Sequence, residues 1–136
     1  MRFYPTIPMI DYDRDYHDPP APLARVVLGR PGSDAKIEGL RMLLDSGAAT
    51  TLLPGEPCRE LGIEPIADRF IEVEGYDGNR KQLRVVDAMI VLQGYKFKGE
   101  YLVDEGREIG VIGRNILNKI IVELNGPKLI WAVRIA

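Results

Sequence analysis

From Leu23 onward the 136-residue chain alternates short runs rich in Val, Ile and Leu with clusters of Gly, Pro, Asn and Asp, the texture of an all-β domain. "LARVVLG" (23–29) predicts a strand, "RPGSDAK" (30–36) a turn, and "IEGLRMLL" (37–44) a strand running into Asp45. "ATTLLP" (49–54) predicts a further strand. "PCRELG" (57–62) predicts one short helix, with Pro57 in its first turn, where a missing N–H costs nothing, and Gly62 just past its end. "DRFIEVEG" (68–75) and "KQLRVVDAMIVLQ" (81–93) flank "YDGN", whose Asp-Gly pair favours a tight hairpin. "YKFKGEYLV" (95–103) reads as a strand, "GVIGRNILNK" as the lead into a helix near Arg114, and "IIVELNGPKLIWAV" as two strands about an Asn-Gly turn. No long amphipathic helix and no internal repeat is present. The predicted class is mainly β, with one or two short helices.

The first 22 residues are different. They are rich in Tyr, Asp and Pro ("YPTIPMIDYDRDYHDPPAP"), follow neither helical nor strand period, and end in prolines that favour extended backbone. We read 1–22 as an extended, solvated arm and 23–136 as the domain proper. The acids Asp11, Asp13, Asp15 and Asp18 around His17 lack the glycine and terminal glutamate of a calcium loop, so no metal is expected there. Such an arm suits a removable pro-segment, an inhibitory strap across a cleft, or an embrace of a partner chain, and the sequence does not choose among them.

Composition narrows the function classes. Hydrophobic residues make up 46% and charged residues 28%, with 18 Lys and Arg against 20 Asp and Glu, for a formal net charge of -2. This is an ordinary globular balance with no basic or acidic block, so neither nucleic acid nor an anionic membrane is an expected partner. No run approaches the roughly 20 apolar residues of a membrane span, and the N-terminus lacks the basic-then-apolar layout of a signal peptide. A cytoplasmic location is the expectation. One cysteine, Cys58, and one histidine leave no internal disulfide and no ordinary Cys/His zinc site. Cys58 reads as a packed residue on the short helix, and Trp131 as core or interface.

The candidate chemistry sits in "RMLLDSGAATTLLP" (41–54), where a carboxylate follows an apolar strand and precedes a tight turn. A strand anchored by "MLL" holds Asp45 rigidly at its end. One carboxylate is a poor hydrolase. Two that share a proton serve as base toward water and acid toward a scissile amide. "DSG" occurs once in the chain, so the second copy has to come from a second chain.

"LLDSGA" with "TTLLP" behind it resembles the active-site loop of retropepsin-like aspartic proteases, and the Leu-Gly of "CRELGIEP" (58–65) after it turns the resemblance toward cellular or bacterial members. "GVIGRNIL" (110–117) resembles the family's second element, an apolar-Gly stretch before a short helix, and "VEGYDGN" (73–79) is the candidate for its substrate-covering flap. The resemblance spans roughly Leu23 to Leu124. It implies the acid-protease fold, a closed β-barrel with one lobe per chain, and a homodimeric aspartic endopeptidase acting on peptide or protein substrates without a cofactor. By position, Asp45 would be catalytic, with Ser46, Gly47 and Ala48 supporting the active-site loop. Gly75, Tyr76, Asp77 and Gly78 would form the flap and bind substrate, and Arg114 and Asn115 would be structural beside the site. Tyr76 would either bond from the flap toward the site or simply cover the hairpin. In retroviral members the arginine pairs with an acid two residues past the active-site glycine. That position is Ala49 here, which leaves Arg114 to bond to carbonyls or to another acid and removes a carboxylate that binds substrate backbone. The longer C-terminal hairpin is expected at the dimer interface. The competing expectation is a catalytically silent dimerisation or peptide-binding module on the same fold, which the missing acid favours and the intact "DSGA" opposes.

Overall fold

The computed structural model describes residues 7–75 and 77–134. Ten strands and two short helices run in the order β1 (Ile10–Asp11), β2 (Leu23–Gly29), β3 (Lys36–Leu44), β4 (Leu52–Pro54), α1 (Gly55–Glu60), β5 (Pro65–Glu74), β6 (Arg80–Leu92), β7 (Tyr95–Asp104), β8 (Gly110–Ile112), α2 (Arg114–Leu117), β9 (Ile121–Asn125) and β10 (Ile130–Arg134). In the larger sheet the hydrogen-bonded order is β2-β3-β8-β4-β7-β6-β5, and a further β2–β6 pairing closes a ring of six strands from which β5 projects. β2 serves two neighbours by bending: its register against β3 shifts between Val26 and Leu28, while Val27, Leu28 and Gly29 pair with Val91, Ile90 and Met89 of β6. A bulge is the ordinary way for a strand to turn such a corner.

Period-two alternation fills the barrel. Ala24, Val26 and Leu28 of β2 point inward with Ala88, Ile90 and Leu92 of β6, and pack with Met42, Leu53, Ile112 and Ile116. β6 buries opposite faces along its length: Val86, Ala88, Ile90 and Leu92 enter this main core, whereas Leu83 and Val85 join Leu102 in a second cluster against Leu52, Ile66 and Val73. Burying side chains of this size stabilises by about 1.5–3 kcal/mol each.

Three local details differ from the sequence expectation. The strand expected over 49–54 is only Leu52–Pro54, because the loop that begins at Asp45 runs on to Thr50, whose backbone packs on Gly113, as described below. The helix expected over 57–62 begins at Gly55, with Pro57 still in its first turn. It ends in a Schellman arrangement: Gly62, at φ +69°, donates to the Arg59 carbonyl at 3.0 Å and Ile63 donates to Cys58 at 2.9 Å. Residues 7–22 are extended, but they lie against the body. Ile10 pairs with Trp131, Tyr12 N–H donates to the Leu129 carbonyl at 2.8 Å, and Asp13 bridges to Ala21.

The arm's acid cluster is organised internally. Asp13 accepts from His17 Nδ1 at 2.7 Å and from the backbone N–H of Tyr16 and Asp15. The His17 bond is the main reason its carboxyl is held below the ordinary value. Tyr16 lies under the Arg41 guanidinium, which donates to its hydroxyl at 2.6 Å. β1, β10 and β9 form a separate three-stranded sheet in that order, with β9 at its edge. Among the described residues no helix is long and apolar enough to cross a membrane.

Candidate active site

Asp45 follows β3 directly. β3 lies parallel to β8, with Met42, Leu43 and Leu44 opposite Gly110, Val111 and Ile112, so the two sequence elements that carry the resemblance are neighbouring strands. The pairing continues past the strand end. Asp45 N–H donates to the Ile112 carbonyl at 3.0 Å, and Ala48 N–H donates back to the Asp45 carbonyl at 3.1 Å, which closes the loop. Gly47 N–H donates to Asp45 Oδ1 at 2.9 Å and fixes the carboxylate against its own turn. Asp45 is half-buried, whereas Ser46 and Gly47 are exposed.

The second element locks this loop from behind. Arg114 N–H donates to the Ala48 carbonyl at 2.9 Å, and the Arg114 guanidinium donates to the Ser46 carbonyl at 2.8 Å. Of the partners left open by Ala49, a carbonyl is therefore the one used. Gly113 packs directly on the loop: a Cβ there would lie 2.3 Å from the Thr50 carbonyl oxygen, a contact only glycine permits.

Thr51, fully buried, is the polar link that sequence reasoning missed. Its hydroxyl donates to Asn115 Oδ1 at 2.7 Å and accepts from Gly113 N–H at 3.1 Å. The available signal was a threonine set directly before the buried "LLP" run, where an unpaired hydroxyl would be costly.

In front of Asp45 lies a cleft of about 620 Å³. One wall is the Asp45 loop through Ala48, Ala49 and Thr50, and the roof is the β5–β6 hairpin through Val73, Glu74, Gly75, Asp77 and Asn79. Gly75 and Asp77 of the expected flap thus face the same space as Asp45. Gly78 instead holds the hairpin turn, its N–H donating to the Gly75 carbonyl at 3.0 Å. Asp77 accepts from Asn79 N–H and Nδ2 at 3.0 and 2.8 Å, with the backbone bond the leading cause of its lowered carboxyl pKa. The expectation for Tyr76 lies outside the described residues.

The cleft floor is Leu52 and Leu83 from the second apolar cluster. Lys81, Asp104 and Arg107 also line the cleft, none of which the sequence reading had singled out. None of residues 7–22 lines the cleft. A second cavity, of about 640 Å³, lies between the arm and Leu129, and Asp45 does not line it.

Cys58 is 3% exposed, and burial pushes its thiol up to about 11. It is a packed neutral residue rather than a nucleophile. Among the described residues no group of three His, Cys, Asp or Glu side chains is placed to hold a metal ion.

The sequence matches no protein-family model and no curated protein. Solved structures do match. One is a retropepsin-like aspartic protease from Rickettsia conorii, with a TM-score of 0.66 at 15% identity, covering 96% of this chain and 92% of that one. Another is the EIAV protease in complex with the inhibitor HBY-793, with a TM-score of 0.57 at 21% identity, covering 80% of this chain and 92% of that one. With its closed six-stranded barrel, projecting hairpin and paired β3 and β8 elements, the chain has the retropepsin-like aspartic protease fold.

Proposed function

We propose that this protein is a homodimeric aspartic endopeptidase in which each protomer contributes one Asp45. The observation that carries the reading is the placement of the Asp45 carboxylate, held by Gly47 N–H at the mouth of a cleft roofed by a hairpin. A peptide fits such a cleft in extended form, bonding through its main chain to the active-site loop below and to the flap, Gly75 to Gly78, above.

In the dimer the two Asp45 carboxylates share one proton, since two like charges about 3 Å apart do not both ionise easily. The ionised member takes a proton from a water as it attacks the scissile carbonyl. The protonated member gives its proton to the carbonyl oxygen, and the leaving nitrogen is protonated in the collapse of the tetrahedral intermediate. Ser46, Gly47 and Ala48 keep the loop in place, and Arg114 and Asn115 brace it from the α2 side. The flap excludes water during the reaction.

The dimer contact we assign is the outer edge of β9. That strand pairs with β10 on one side, and it exposes Ile121 and Leu124 at 39% and 57%. β9 follows α2 by a short connection, so a twofold axis at this edge lies close to the element that braces the Asp45 loop. A twofold contact of this kind is isologous.

The test is cleavage of a diverse peptide mixture, read by mass spectrometry of new termini, with Asp45→Asn and an aspartic-protease inhibitor as controls. Asp45→Asn should lose roughly 10³-fold or more in rate while remaining a dimer. Full activity in that variant would sink the reading. No inhibitor-sensitive product at any pH would favour the silent peptide-binding module.

A further inference from the structure

We infer that Lys81, Asp104 and Arg107 form a charged subsite in the cleft that selects substrates carrying a glutamate side chain. The inference rests on the peptide-cleft reading above and names a class of substrate for it.

Asp104 ends β7 and is only 8% exposed. It follows Leu102 by two residues and so shares that residue's face, toward the second apolar cluster rather than the main core. Its two oxygens are each met by a different cation: Oδ1 by Lys81 Nζ at 3.6 Å and Oδ2 by Arg107 Nε at 3.3 Å. Arg107 N–H also donates to the Asp104 carbonyl at 3.2 Å, so the loop that carries the guanidinium is fixed by its own backbone.

The carboxylate is thus occupied while the cations are not. Arg107 spends Nε on Asp104, and its two terminal nitrogens keep a planar fork suited to a second carboxylate. Lys81 is 65% exposed at its side chain and has donors to spare. Two cations against one acid leave a charge of +1 on this group.

Besides Asp45, the other acids of the lining, Glu74 and Asp77, stand on the flap hairpin rather than on the strand end and loop that carry Asp104 and Arg107. Asp77 has both oxygens engaged by Asn79, and Glu74 lies exposed on the flap. Beside these charged groups the lining is apolar, through Leu52 and Leu83. A side chain with an apolar stem and a terminal carboxylate matches both surfaces, and glutamate is the residue with that form.

The experiment uses an apolar octapeptide scaffold with Glu placed at each position in turn, and the same set with Gln. Cleavage of each pair by the wild type gives a ratio of kcat/KM. Binding of each labelled pair to the Asp45→Asn protein, read by fluorescence polarisation, gives a ratio of Kd that does not depend on turnover. We expect Glu to win by roughly tenfold at one position of the scan, as a charge-assisted pair of bonds replaces neutral ones. Lys81→Met combined with Arg107→Gln should erase that preference and create one for Lys at the same position, because Asp104 is then unpaired. Lys81→Glu alone, at an exposed side chain, should lower the Glu to Gln ratio without harming the fold. Equal ratios at every position, a preference that survives both sets of substitutions, or no binding of any peptide would overturn the inference. Glu-selective binding without cleavage would sink the peptidase reading and keep the subsite. Cleavage without selectivity would do the reverse.

Discussion

Thr51 shows how one hydroxyl holds two distant segments in register. It joins Asn115 and the Gly113 backbone N–H, and through them it ties the start of β4 to the second sequence element. Thr51→Val keeps the shape and removes both bonds, leaving a buried N–H and an amide oxygen unsatisfied. The expected loss is about 2–3 kcal/mol of stability, read as a shift of the urea midpoint at constant m-value. Thr51→Ser should restore most of it. A loss below about 0.5 kcal/mol would mean that water replaces the hydroxyl. The roles proposed for Asp45, Ser46 and Gly47 were legible in the short "DSG" string because that chemistry needs an acid beside a tight turn. Thr51, Asp104 and Arg107 were not, because their roles depend on partners 64 residues away for Thr51 or on the face of a strand that ends in a cleft.

Strand existence was legible at the scale of elements because apolar runs and turn residues alternate along the chain. What each face would meet was not. "LRVVDAMIVL" in β6 carries two period-two patterns out of phase, and Val85 and Val86, adjacent in sequence, belong to different apolar clusters. The pattern records that the buried face changes between Val85 and Val86 and is silent on which cluster each part enters. The arm is a related case. Residues without strand period still add β1 to the edge of β10, because Ile10 and Tyr12 find apolar partners there. Removing residues 1–22 should therefore destabilise the body by about 2–4 kcal/mol, from the apolar surface of those two side chains, while the cleft residues stay in place. Chemical denaturation of the truncated chain checks this. Unchanged stability would show that the arm's contacts are marginal in solution.

The proposed dimer is the property of the whole molecule on which the proposed activity would depend. Leu124, 57% exposed on the free edge of β9, would meet its own copy or a close neighbour across the twofold axis. Leu124→Lys then sets like charges against each other, which costs several kcal/mol at an interface. The dimer Kd should rise at least roughly tenfold by sedimentation, and specific activity at low protein concentration should fall with it, because assembly and site formation are one event. Activity should return at high concentration. An unchanged dimer with full activity would place the interface elsewhere on the chain.

The sequence by itself determined the β class, the position of Asp45 directly after a strand, and, for the proposed two-carboxylate reaction, the expectation of a second copy of a loop that occurs once. These follow from local rules: side-chain period, turn chemistry and the proton sharing that a two-carboxylate hydrolase requires. Tertiary structure alone decided that Arg114 bonds to the Ser46 carbonyl, that the arm lies along β10 and away from the cleft, and that Lys81, Asp104 and Arg107 meet in the cleft lining. Each of these depends on strand order and on which face a strand presents, and the closure of the barrel sets both.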